Sequence, residues 1–150
     1  MKVFLSRKAY HRIRELIRAV NNLYETGGVL IGYKVLFFYY IIDITVDDNV
    51  SNHSKTSFTL DGVQHTEKVK RIMKQYILKP TVLGLWHSHI CYDAQFSQQD
   101  KASNKSFATF LGRNILSMII VLFDNHLKMV TYEILPYGKE KLLSKKENKL

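Results

Sequence analysis

The chain has 150 residues, one cysteine (Cys91) and a formal charge of +9, with apolar residues making up 46% and Gly and Pro only seven and two. Length and composition suit one folded domain with one core rather than a disordered chain. The lone cysteine excludes an internal disulfide and any multi-cysteine metal site; the start shows no signal peptide, and the longest apolar runs, Val35–Ile42 and Ile115–Phe123, fall short of the roughly 20 residues that span a bilayer. A cytoplasmic protein with no membrane partner is expected.

Ser6 is placed to cap a helix whose apolar positions Ile13, Leu16, Ile17, Val20 and Leu23 recur at helical spacing, leaving Arg7, Lys8, Arg12, Arg14 and Arg18 on the other side. Glu25 falls at the junction before Gly27-Gly28. The run Val29–Tyr33 and the β-branched and aromatic run Val35–Val46 predict two neighbouring strands, the second largely buried. A polar loop around Asp47-Asp48-Asn49 and Ser51-Asn52 leads to a short strand over Lys55–Leu60. Asp61 with Gln64 resembles a capping box for a second helix, whose stripe is Val69, Ile72, Met73, Tyr76 and Ile77 and which Pro80 ends. Thr81–Ser88 reads as a strand, and a third helix is expected from Ser97 to near Gly112. Two more strands, Ile115–Phe123 and Leu127–Leu135, flank a hairpin turn at Asp124-Asn125-His126. The predicted organisation is one α/β domain over residues 1–135, a mixed twisted sheet flanked by helices, followed by a weakly periodic basic tail over 136–150.

The stretch richest in chemistry is His87-Ser88-His89, followed after residues 90–96 by Ser97 and after residues 98–99 by Asp100. Alternate strand residues share a face, so His87 and His89 project together while Ser88 turns away. A helix starting at Ser97 carries Asp100 in its first turn, and the intervening loop is long enough to fold that turn over the strand end. Two His and one carboxylate are a usual zinc set with a fourth position left for water. Ser97 and Asp100 are also an ordinary helix N-terminus. His11, His53, His65 and His126 lack ligand spacing. Cys91 has no arrangement that would make it a nucleophile. With Trp86, expected mainly in the core, and Ile90, it is a candidate for lining a substrate groove.

These residues resemble the JAMM, or MPN-plus, metalloprotease signature of JAB domains: His-x-His, seven residues, Ser, two residues, Asp, with an upstream Glu matched by Glu25. The Gly27–Gly32 segment and the Gly84-Leu85-Trp86 lead-in are also similar, and the likeness spans roughly Glu25 to Ile134. It departs at Ile90, where the family commonly has Pro. The resemblance implies a cytidine-deaminase-like fold and one zinc ion per chain, held by His87, His89 and Asp100. Glu25 would act as proton carrier and Ser97 would steady the oxyanion. The implied activity is that of an isopeptidase or peptidase acting after the C-terminus of a ubiquitin-like protein, in the company of E1-like and E2-like proteins and antiphage systems. Alternatives are a peptidase for sulfur-carrier proteins, a RadC-like nucleic-acid-associated module and a non-catalytic scaffold. The charge reads as solvated helix faces or as attraction to an acidic partner or nucleic acid. No aromatic-interleaved basic stripe favours nucleic acid.

Overall fold

The computed structural model describes residues 1–21, 23–47, 62–91 and 93–149. Ser6 divides an opening strand, β1 (Lys2–Leu5), from helix α1 (Arg7–Val20). Its hydroxyl accepts from the Ala9 N–H at 3.0 Å and donates to the Ile42 carbonyl at 2.7 Å, so one side chain caps the helix and ties it to the sheet. The buried positions of α1 are Ala9, Ile13, Ile17 and Val20, as the helical spacing predicts; Asn21 ends it in the left-handed region, and Leu23 lies beyond, exposed.

The remaining described elements are β2 (Gly27–Val35), β3 (Phe38–Ile44), α2 (Gly62–Met73), β4 (Thr81–His89), α3 (Gln98–Leu111), β5 (Ile115–Phe123), β6 (His126–Ile134) and β7 (Glu140–Lys149). They form a mixed α/β domain whose seven-stranded sheet runs β1-β3-β2-β4-β5-β6-β7. The β1/β3 and β4/β5 pairs are parallel and the other four antiparallel. One sheet face packs Val3, Leu30, Tyr39, Ile41, Trp86, Leu116 and Met118 against α1. On the opposite face Val29 and Ile31 meet Ile72 of α2, and Ile115, Ile119 and Val130 meet Ala108 of α3. Strand alternation sorts consecutive side chains into these two layers.

Four expectations need correcting. The four-residue β1 was not foreseen. The apolar run from Val35 is not one strand, because the chain turns at Leu36-Phe37 between β2 and β3, without any Gly, Asn or Pro to mark the turn. Helix α2 stops at Met73, so Tyr76 and Ile77 lie past it and Ile77 is fully exposed. Of the tail expected over 136–150, Glu140–Lys149 is a strand of the sheet: β7 pairs with β6 from Glu140↔Ile134 to Lys149↔His126. This is an edge strand, and its solvated lysines hide the period-two pattern that would have announced it. The expected strand Lys55–Leu60, His53 and Asp61 of the capping box lie outside the described residues.

Candidate metal centre

Strand β4 delivers His87 and His89 at its end, facing away from the α1 side where Trp86 is buried. Across the β2/β4 ladder Gly27 is paired with His87, so extending the register by two residues sets Glu25 opposite His89, on the same face. Two hydrogen bonds hold this extension: Ser88 N–H donates to the Thr26 carbonyl at 2.7 Å, and Thr26 N–H donates to Ser88 Oγ at 3.0 Å. Ser88 thus turns away from the histidines and fixes the backbone beside Glu25. Gly28 lets β2 lie close to β3, since a Cβ there would collide with the Thr45 carbonyl. The same carbonyl accepts from Trp86 Nε1 at 3.0 Å.

Helix α3 brings the third group. Ser97 is its N-cap, and the capping box is reciprocal: Asp100 N–H donates to Ser97 Oγ at 3.1 Å, and Ser97 N–H donates to Asp100 Oδ2 at 2.8 Å. The box fixes the Asp100 rotamer in the first turn. Its oxygens lie 3.3 Å from His87 Nε2 (Oδ1) and 3.5 Å from His89 Nε2 (Oδ2), and the two imidazole nitrogens are 2.9 Å apart. Ligand atoms of His87, His89 and Asp100 all fall within 4.8 Å of one another, the one such group among the described residues.

The electrostatics are those of a crowded site. Burial alone would lower the His89 pKa; hydrogen bonds to Asp100 and to the Asp93 carbonyl, with the charge of Glu25, lift it to about 9. Burial would raise Asp100, yet its hydrogen bonds with His87 and His89 hold it far below the ordinary carboxylate range. Glu25, with 9% of its surface exposed, is pushed up to about 7 by burial; the charge of His89 opposes the shift and that of Asp100 adds to it.

The donor set suits a metal. His89 Nδ1 lies 2.9 Å from the Asp93 carbonyl, which can only accept, so Nδ1 keeps its proton; when the imidazolium gives up its second proton, Nε2 is the atom that presents a lone pair toward Asp100 and His87, as a metal ligand must. On one tetrahedral zinc with metal–nitrogen bonds of about 2.0–2.1 Å, two imidazole nitrogens stand about 3.3 Å apart. The His87–His89 separation of 2.9 Å needs to open by only a few tenths of an ångström.

The other expected site residues fall differently. Trp86 is 1% exposed in the core and lines no groove, which corrects that candidate role; Ile90 is half-buried and Cys91 exposed beside the site. The Ser97 hydroxyl donates to Asp100 Oδ2 at 2.7 Å, so steadying an oxyanion would require it to leave that carboxylate. Sequence spacing passed over one neighbour, His65. His65 on α2 is 2% exposed, with Nδ1 2.6 Å from Thr45 Oγ1 and Nε2 3.9 Å from Asp47 Oδ2. It anchors α2 to the end of β3, one strand beyond Gly27.

No family profile and no curated protein matches the chain. Among solved structures, the chain is similar to a protein from Desulfitobacterium hafniense determined in solution, with a TM-score of 0.71 and 20% identity, over 95% of this chain and 91% of that one. At that identity the likeness is one of fold. No described helix is long and apolar enough to cross a membrane.

Proposed function

We propose that the chain is a zinc-dependent isopeptidase or peptidase of the JAB type, cleaving the amide bond after the C-terminus of a ubiquitin-like protein or a protein conjugated in the same way. The observation that carries this reading is the meeting of His87, His89 and Asp100 within 4.8 Å, on the sheet face that Glu25 also occupies. The architecture, seven strands with α1 on one face and α2 and α3 on the other, is compatible with that type.

His87 and His89 through Nε2, and Asp100 through one carboxylate oxygen, would hold the metal. Zinc bound there would polarise the scissile carbonyl and bring the pKa of a water to about 7. Glu25 supplies the proton traffic. In the metal-free site burial pushes its pKa up to about 7, and from this position the carboxylate would take a proton from the attacking water and return it to the departing amine. Ser88 and Thr26 keep that carboxylate in register with His89. The Ser97 cap sets the Asp100 rotamer, a positioning role that stands whatever else its hydroxyl does.

Peptide hydrolysis tests the reading. Zinc-loaded protein should cleave a ubiquitin-like fusion bearing a C-terminal peptide, with a sulfur-carrier fusion run beside it to decide the substrate class. Glu25→Gln should keep its zinc and lose at least about 100-fold in turnover. Equal turnover by the variant would remove Glu25 from the chemistry.

A further inference from the structure

We propose that the outer face of β1 and β3, together with the β2–β3 turn, is a docking surface for a partner protein segment that presents large apolar side chains flanked by acidic residues. In the two hairpins of the sheet that close through two residues, turn chemistry takes opposite courses. Between β5 and β6 the turn residues are Asp124 and Asn125, both in the left-handed region these residues tolerate. Between β2 and β3 they are Leu36 and Phe37, 85% and 78% exposed. Neither side chain has a conformational reason to stand at a turn, and each leaves a large apolar surface in water.

The turn continues into an uncovered part of the sheet. Phe4 is paired with Tyr40 and Lys2 with Phe38, so these four share a face; Val3, Tyr39 and Ile41 on the other face are core. Helix α2 covers Val29 and Ile31, and α3 covers Ile115 and Ile119, but no described helix covers this corner. Phe4 and Phe38 meet edge to face with ring centres 5.6 Å apart, and Phe4 and Tyr40 remain 46% and 40% exposed. With Met1, Lys2 and Phe37 they line a cavity of about 770 Å³. Contiguous exposed apolar surface of this kind marks an interaction site.

Charge selects the occupant. Among the described residues, Lys2 is the one charged side chain that lines the cavity, and no carboxylate lines it. The surface therefore carries a positive charge with no carboxylate among its lining residues, in a chain of net charge +9, which disfavours a second copy and favours an acidic partner. It lies at the Val35 end of β2, about 26 Å along the strand from Gly27 and the histidines, so it grips a partner without entering the metal centre.

The test uses the full-length chain as bait for a displayed library of random 16-residue peptides, followed by fluorescence anisotropy of the selected peptides. The peptides should carry net negative charge around Leu, Phe or Trp. Their affinity should fall at least about tenfold in the Leu36→Ser/Phe37→Ser double variant and several-fold in Lys2→Glu, and should weaken with added salt as screened charges do. Leu23→Ser, at another exposed apolar site, should bind as wild type does, and circular dichroism of all variants should match it. Four results would each overturn the proposal: no enrichment, peptides of neutral or basic character, binding indifferent to both surface variants, or a dimer or phosphatidylglycerol-vesicle association abolished by the double variant.

Discussion

His89 and Asp100 set the pH behaviour of the metal-free protein. His89 is raised from 6.5 to about 9, so its stabilising contribution is complete below about pH 6.5 and is lost as pH rises through 9. Asp100 is lowered from 3.8, so its contribution is present above about pH 4 and is lost on acidification. Glu25, raised from 4.5 to about 7, adds a contribution that is complete below about pH 4.5 and lost as pH rises through 7, so thermal melts of chelator-treated protein should be highest near pH 4 to 4.5 and decline toward pH 9. Zinc requires the neutral imidazole, so the rise in Tm on adding zinc should grow over the same interval. A zinc effect that shrinks from pH 6.5 to 9 would contradict the ligand assignment. Ser88 acts one bond further out: Ser88→Ala removes the acceptor of the Thr26 N–H and should reduce turnover more than zinc affinity, with Ser88→Thr restoring much of it. An unchanged rate would mean that Glu25 is held in place by other contacts.

At the scale of elements, the capping of α3 joins folding to the site. Ser97→Ala leaves Asp100 N–H without its acceptor and should cost about 1 kcal/mol, while also weakening zinc binding because the Asp100 rotamer loses its tether. Asp43 is the corresponding joint for α1, bonded by Lys8 and Arg12 and receiving the Ile44 N–H at 2.9 Å. Asp43→Ala should destabilise by about 2 kcal/mol in denaturant titration, less than for a fully buried pair because both cations are half exposed. These joints differ in how far the sequence shows them. Ser6 and Ser97 are local caps, and helical spacing announces them. The approach of Glu25 to His89 depends on pairing between strands far apart in the chain, which spacing alone does not reveal; it became legible through the family-like motif.

For the whole molecule, the core elements were legible because apolar periodicity is strong in α1, β4, β5 and β6. The edges were not. Strand β1 has four residues, and the pattern of β7 is masked by lysines that keep an edge soluble. Removing residues 136–149 should lower Tm and expose the β6 edge, since β7 pairs along all of β6; a truncated chain melting as wild type does would contradict that pairing. The central claim concerns a single ion shared by two imidazoles and one carboxylate. Metal analysis of the purified, zinc-reconstituted chain should give one zinc per molecule, falling to a small fraction in His87→Ala and Asp100→Ala and staying at one in Glu25→Gln. Full zinc occupancy in both ligand variants, or none in the wild type, would contradict it.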